Sequence, residues 1–364
     1  MEREQILAFR LARCGLATRD AAGLASAAVP PAAAFTRDAA LQALSARCAT
    51  ITREGYDDAT DSGREIVVAY AIRGAIHALP AADWPLFGAA LIATEEDELG
   101  RQLGRQMQKL GDEHGFEQGW ALAEVSAATK DALKGGRALS KVDLHEELRA
   151  RLPDELLPWC KGCASHHAPP MLWRFATIDA GVRLDSERRY RSGRLGRKPA
   201  AEEAVRRFLS AYGPATTADF AEWTGVAPSH AKRLWARLED ELVEVAAGRQ
   251  KAWALASDEH DLMEPPKASG VTLIPPGDPY LQRVNRPLLA PDDALRKTLF
   301  RPVASPGVVL KDGRLAGSWK PKLKGKKLEL TVEKLGRLAK KDVAAEAERI
   351  ATLRGARDLT VTIA

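Results

Sequence analysis

The sequence predicts a mainly α chain with a small β content that ends in an antiparallel β-rich unit, and three stretches carry that prediction. Across residues 200–255, two helical patterns, a glycine turn, a third helical pattern and two alternating runs follow in the order of a winged helix-turn-helix. Across residues 99–184, helix, helix, loop, helix and a short extended run repeat that order in outline. Beyond residue 270 the pattern turns to short β-type runs joined by turn residues.

In the first segment, apolar positions recur at helical spacing over residues 5–24, with Thr18 and Asp20 as cap residues. Val29-Pro30-Pro31 interrupts the pattern, and an Ala/Leu helix resumes over residues 36–49. Thr36 suits its N-cap, and Asp38 suits the first turn, where a negative charge meets the helix dipole. Residues 66–79 read as strand or short helix, and Pro80 opens a helix over residues 81–96. In the second segment, helices are expected over residues 112–133 and 141–151, parted by Gly135-Gly136, with a helix start at Ser140. Residues 169–178 form another helix, and residues 182–184 an extended run.

Residues 186–198 are strongly basic, with Arg188, Arg189, Arg191, Arg194, Arg197 and Lys198. They read as a solvated linker, or as a flexible segment lying along phosphates. In the third segment the helix over residues 200–212 stops at Gly213-Pro214, and Thr216-Thr217 caps a short helix. After Gly225, Ser229 caps the last helix, and two strands flank Gly248-Arg249-Gln250-Lys251. If that helix lies in a major groove, it offers Ser229, His230, Lys232, Arg233 and Arg237, with Arg249 at the wing tip. Alternatively the module is a packing unit with an ordinary charged face. At the C-terminal end, Lys311-Asp312-Gly313-Arg314 is a hairpin turn of the Asp-Gly kind. Lys320, Lys322, Lys324, Lys326 and Lys327 crowd the next turn, a helix follows over residues 342–353, and a strand closes over residues 359–363.

A chain of 364 residues fits two or three domains at roughly 150 residues each. With 45% hydrophobic and 28% charged residues, disordered and collagen-like classes are excluded. The net charge of +5 is mild, so a nucleic-acid footprint must come from local clusters. Four cysteines in so long a chain do not make a disulfide scaffold. Charges at Glu2, Arg3, Glu4, Arg10 and Arg13 leave no signal peptide visible, and no apolar run approaches a membrane span. A cytoplasmic protein without membrane contact is expected.

Several motifs together resemble the AlkZ/YcaQ-like family of bacterial tandem winged-helix proteins, which includes DNA glycosylases. Gly213-Pro214-Ala215-Thr216 through Trp223-Thr224-Gly225 resembles the opening of that family's third winged helix. Leu273-Ile274-Pro275-Pro276-Gly277-Asp278-Pro279-Tyr280-Leu281, Arg301-Pro302-Val303 with the following hairpin to Trp319, and Ile72-Arg73-Gly74-Ala75-Ile76-His77 are similar to further family motifs. The resemblance implies three tandem winged-helix domains curved around DNA plus the C-terminal β-rich unit. The boundaries are then 1–97, 98–185, a basic linker 186–198, 199–258 and 259–364. It also implies a Gln-x-Gln or Gln-x-Asp motif that positions the hydrolytic water just before the Ala/Leu helix. Ala33, Ala34 and Phe35 occupy that slot, so both polar side chains are missing. Asp38 is the nearest carboxylate that could substitute, and Gln42 lies one turn into the helix. Arg73 and His77 either clamp a phosphate or flipped nucleotide, or serve as an ion pair and a core cap.

Cys160-x-x-Cys163-x-x-His166-His167 has metal-ligand residue types, but four ligands within eight residues is cramped. Zinc, a reactive thiol pair and a plain structural loop all remain open, with the loop the default reading. No nucleotide-binding glycine loop, zincin motif or nucleophile elbow appears, so no cofactor is expected. The expected function is binding of double-stranded DNA, by a monomer, without the family's glutamines. The alternatives are an active glycosylase removing alkylated or crosslinked purines, and a transcription regulator.

Overall fold

The computed structural model describes residues 1–247 and 250–364, and the expected wing-tip Arg249 lies outside them. Contacts gather into two units, each assembled from separate pieces of chain rather than from consecutive segments. One holds Met1–Tyr56, Arg206–Thr216 and Asp240–Ala364, and the other Asp57–Val205 and Thr217–Glu239.

In the first unit the helix Arg3–Arg13 ends well before residue 24, because Gly15 takes a left-handed φ of 70° and turns the chain. The helix Arg37–Ser45 starts where Thr36 predicts, its Oγ1 accepting from the Ala39 N–H at 3.1 Å. Every residue from Ala39 to Ser45 is buried. The C-terminal sheet has five strands in the order Val271–Ile274, Gly307–Lys311, Arg314–Lys324, Lys327–Lys334 and Asp358–Ile363. Its turn at Asp312-Gly313 has φ of 50° and 75°, the two left-handed residues that a tight hairpin needs.

This sheet is not wholly antiparallel, as the sequence reading had it. Its last pair is parallel, because the helix Lys340–Leu353 carries the chain back before the closing strand. Trp319, Leu328, Leu330 and Val332 pack with Val343, Ala347 and Ile350 of that helix. The helix Glu203–Tyr212 from Arg206 onward and the hairpin Leu242–Ala247 with Gln250–Leu255 also belong to this unit.

The second unit contains strands in the order Ile76–Pro80, Ile66–Tyr70, Val182–Leu184, Tyr190–Ser192 and Ala138–Leu139. All five residues of Ile66–Tyr70 are buried, as an unbroken apolar run in mid-sheet requires. Ser140 caps Lys141–Arg149 through a reciprocal pair with Asp143. Two expected helices are broken. Residues 81–96 form only short turns around Pro85 and Gly88. The helix expected from residue 112 to 133 is two, Arg105–His114 and Gln118–Ala132, parted by left-handed Gly115. The basic segment is not a free linker throughout, since Tyr190–Ser192 is a strand and Tyr190 is buried. Thr217–Thr224 and Pro228–Ala236 join through Gly225, whose φ is 76°.

With this much sheet in both units, the chain is mixed α/β rather than mainly α. Among the described residues no helix is long and apolar enough to cross a membrane.

Candidate nucleic-acid interface

Strand alternation sets the cation pattern of the first unit. In Arg314–Lys324 successive side chains change face, so Lys320, Lys322 and Lys324 share one face and are exposed, while Trp319 points into the core. Lys322 stands opposite Glu329 in the register, and Lys324 Nζ lies 3.5 Å from a Glu329 oxygen. Lys320 stands opposite Thr331 and has no ion-pair partner among the described residues.

Lys320 also lines a cleft of about 140 Å³, together with Phe35, Thr36, Gln42, Trp319 and Arg354. The slot beside the Ala/Leu helix therefore opens on a cavity. Phe35 is 55% exposed there. Its ring sits so close to the chain that a Cβ at Gly277 would come within 2.7 Å of it, so Gly277, with φ 81°, has to be glycine. Gln42 is buried and accepts from Arg354 Nη2 at 3.1 Å. The Gln42 Nε2 and Arg354 Nε groups are buried without a partner. Asp38 is engaged, because Arg53 Nη2 donates to it at 2.6 Å and Arg354 Nη1 lies 3.8 Å from its other oxygen.

Beneath this slot Arg47 and Asp278 form a bidentate pair with both contacts at 2.8 Å and side chains only 1% and 0% exposed. Arg47 also donates to the carbonyls of Cys14 and Ala43. The pair ties the Ala/Leu helix to the Pro275–Leu281 segment, although sequence reading gave Arg47 no role.

In the second unit, the helix Pro228–Ala236 is oriented by a carboxylate that sequence reading missed. Glu98, 5% exposed on Glu96–Leu103, accepts from Ser229 Oγ at 2.5 Å and from both Arg233 Nη groups at 2.6 Å. His230 is buried, with Nδ1 4.0 Å from the same carboxylate. The Arg233 hydrogen bonds, working against burial, hold the Glu98 carboxyl down at about 2. Burial lowers the His230 imidazole. Ser229 does not cap the helix, whose N-cap is Ala227, because its hydroxyl is turned to Glu98. The acidic run Glu95-Glu96-Asp97-Glu98 was the available signal. Lys232 is exposed and has no ion-pair partner among the described residues, whereas Arg237 reaches Glu202 at 3.0 Å.

Arg73 is exposed, in a left-handed turn with φ 59°, and donates to the Glu222 carbonyl at 3.1 Å. His77 is buried in its strand with Nδ1 2.9 Å from the Ala75 carbonyl, and burial pushes it down to about 4. A neutral, enclosed imidazole brings no cation to a phosphate. Within the basic segment, Arg189 and Arg191 both donate to Asp185, a 1% exposed carboxylate, and the Arg188 N–H donates to the Asp185 carbonyl. Arg194, Arg197 and Lys198 are exposed.

The hairpin Trp159–Cys160 with Ser165–His166 holds the Cys/His motif. Cys160, Cys163 and His167 offer ligand atoms within 4.8 Å of one another. His166 instead lies 2.7 Å from the Leu157 carbonyl.

Comparison with known proteins gives a consistent result. Residues 28–353 match the model of a family described as DNA glycosylase AlkZ-like. A curated relative, the interstrand DNA cross-link repair glycosylase of Streptomyces sahachiroi, is 30% identical over 179 residues. That match covers 46% of this chain and 47% of the relative, so it spans about half of each protein. The solved structure of Streptomyces sahachiroi DNA glycosylase AlkZ superposes with a TM-score of 0.78 at 21% identity, covering 100% of both chains, which is a likeness of fold.

Proposed function

Because the chain belongs to the AlkZ-like DNA glycosylase family, we propose that it binds double-stranded DNA through three winged-helix domains and does not hydrolyse a base at the family's water-positioning slot. The observation that carries this is the chemistry of that slot. Ala33 and Phe35 offer no side-chain oxygen or nitrogen, and Phe35 stands exposed where a water would have to be held. General-base activation of water requires an acceptor within hydrogen-bond reach. The nearest carboxylate, Asp38, is already engaged by Arg53 and Arg354.

Binding then rests on phosphate neutralisation. Lys320, Lys322 and Lys324 form a strip on one strand face, and Lys232, Arg73, Arg194 and Arg197 are exposed in the second unit. Counterion release makes such binding steeply salt-dependent. Affinity for a duplex should fall by orders of magnitude between about 50 and about 200 mM salt, and Lys320→Ala/Lys322→Ala should lower the slope of log K against log salt by about 2. An unchanged affinity across that range would end the reading.

One observation favours a second reading, an active glycosylase acting on alkylated or crosslinked purines. Gln42 and Arg354 line the cleft beside Phe35, and although the two bond each other, Gln42 Nε2 and Arg354 Nε are buried without a hydrogen-bond partner. Incubation with an N7-alkylguanine duplex followed by alkali discriminates. No strand cleavage is expected, whereas cleavage that disappears in Asp38→Ala or Gln42→Ala would replace the first reading with the second.

A further inference from the structure

We propose that Cys160, Cys163 and His167 bind a zinc ion, with His145 as the fourth ligand. The three ligand atoms already lie within 4.8 Å of one another. Tetrahedral zinc with bonds of about 2.3 Å to sulfur and about 2.0 Å to nitrogen sets separations of roughly 3.3–3.8 Å, so closure by about an ångström seats these three, and the His145 ring, which lies outside their 4.8 Å group, must swing in further. The backbone aids this, because the Cys163 N–H donates to the Cys160 carbonyl at 3.3 Å and folds the Cys-x-x-Cys run into a tight turn.

The imidazole chemistry is the stronger argument. His167 Nδ1 lies 2.8 Å from the Ala168 carbonyl, which fixes the proton on that nitrogen and leaves a lone pair on Nε2. That Nε2 is buried and bonds no oxygen or nitrogen of the protein; the group it meets is the Cys160 thiol. A backbone carbonyl on the far nitrogen is the usual orienting contact of a metal-bound histidine, and a buried bare lone pair otherwise has a desolvation cost. His145 Nε2 is also buried and unpartnered, and its ring centroid lies 5.7 Å from that of His167 at 80°. The helix Lys141–Arg149 supplies it, and its ring rests on Trp173 at 4.5 Å. Two imidazole nitrogens on adjoining rings, one of them at the two thiols, form a borderline-soft donor set that suits zinc.

This assignment differs from the contiguous Cys/Cys/His/His reading of the sequence, which placed all four ligands in one loop. His166 belongs to the hairpin strand, bonds the Leu157 carbonyl and packs on Trp159 at 5.1 Å, while the next residue, His167, is the one at the thiols. Drawing the fourth ligand from a separate helix relieves the crowding that an eight-residue loop would impose, and the ion would staple the hairpin to Lys141–Arg149. Each thiol loses its proton to solvent on binding, so two thiolates offset the divalent charge.

The test uses the full chain, purified reduced and without chelator after growth with zinc, and counts metal by mass spectrometry. About one zinc per chain is expected. Cobalt(II) in its place should show the intense visible absorption of a tetrahedral ion and a sulfur-to-cobalt band in the near ultraviolet. Cys163→Ser and His167→Ala should lose the metal, and His145→Ala should weaken it about tenfold or more while keeping the sulfur band. His166→Ala should keep full metal content, and circular dichroism of each variant checks that it folds. Metal-free wild type, a Cys160–Cys163 disulfide mass in place of metal, or His166→Ala losing as much as His167→Ala would overturn the assignment.

Discussion

Replacing Asp278 by alanine removes the acid from a cation that has nowhere else to go. Arg47 is 1% exposed, and its two contacts to Asp278, each at 2.8 Å, are its only charge-neutralising bonds among the described residues. Asp278 also accepts from the Tyr280 N–H at 2.9 Å, so the substitution frees three donors in a dry site. Charge-assisted bonds contribute about 1.5–3 kcal/mol each, and breaking a buried pair from one side costs about 3–5 kcal/mol. Opening of the first unit should therefore become roughly a hundred- to several-thousand-fold more frequent. Hydrogen exchange reads this locally. Amides of residues 39–48 and of Tyr280 and Leu281 should exchange faster by that factor, while those of Ile66–Tyr70 in the other unit serve as control. The double replacement Arg47→Met/Asp278→Leu should restore much of the protection, since an apolar pair leaves no uncompensated charge. A loss below about 1 kcal/mol in Asp278→Ala would refute the reasoning, because it would mean that water reaches the guanidinium.

Two further predictions concern pH. Glu98 is held at about 2 against an ordinary 4.5, chiefly by Arg233, so its contribution is complete above 4.5 and fades as pH falls toward about 2. The difference in urea midpoint between wild type and Glu98→Gln should shrink over that window, and a constant difference would exclude the charge as its cause. His77 is pushed by burial to about 4 from an ordinary 6.5, so the unfolded chain binds the extra proton first. Stability should be complete above 6.5 and fall as pH drops toward 4, with a shallower fall in His77→Gln. A His77 ring resonance titrating near 6.5 would contradict the burial argument.

What could be read from the chain was local. Thr36, Ser140 and the Asp312-Gly313 turn each act through atoms within three residues, and each stands where the residue types placed it. The glycine slot of the second helix pair was equally visible at Gly225. What escaped were partners distant in sequence. Nothing near Arg233 announces Glu98, and nothing near Arg47 announces Asp278, because both pairings depend on tertiary packing. The same limit made residues 186–198 look like a solvated run. Asp185 lies just outside it and draws in Arg189 and Arg191, which a composition count treats as surplus charge. Helix lengths were overestimated where Gly15 and Gly115 end an apolar period that otherwise continues. That Ala33, Ala34 and Phe35 carry no polar side chain is plain from the sequence, but the Gln42 and Arg354 cleft beside them needed strands from the far end of the chain.

The interleaved make-up of the two units bears on how the polypeptide is born. Residues 1–56 leave the ribosome well before the sheet and helix they share a unit with, which are encoded after residue 239. That segment must wait, with Leu41 and Leu44 uncovered, until the residues from 240 onward have been made. Vectorial, segment-by-segment folding is thus closed to this unit, and the nascent chain should depend on chaperone shelter more than its size suggests. Truncation at any single point would sever at least one unit from part of itself, so halves of the gene should yield aggregates rather than separable domains.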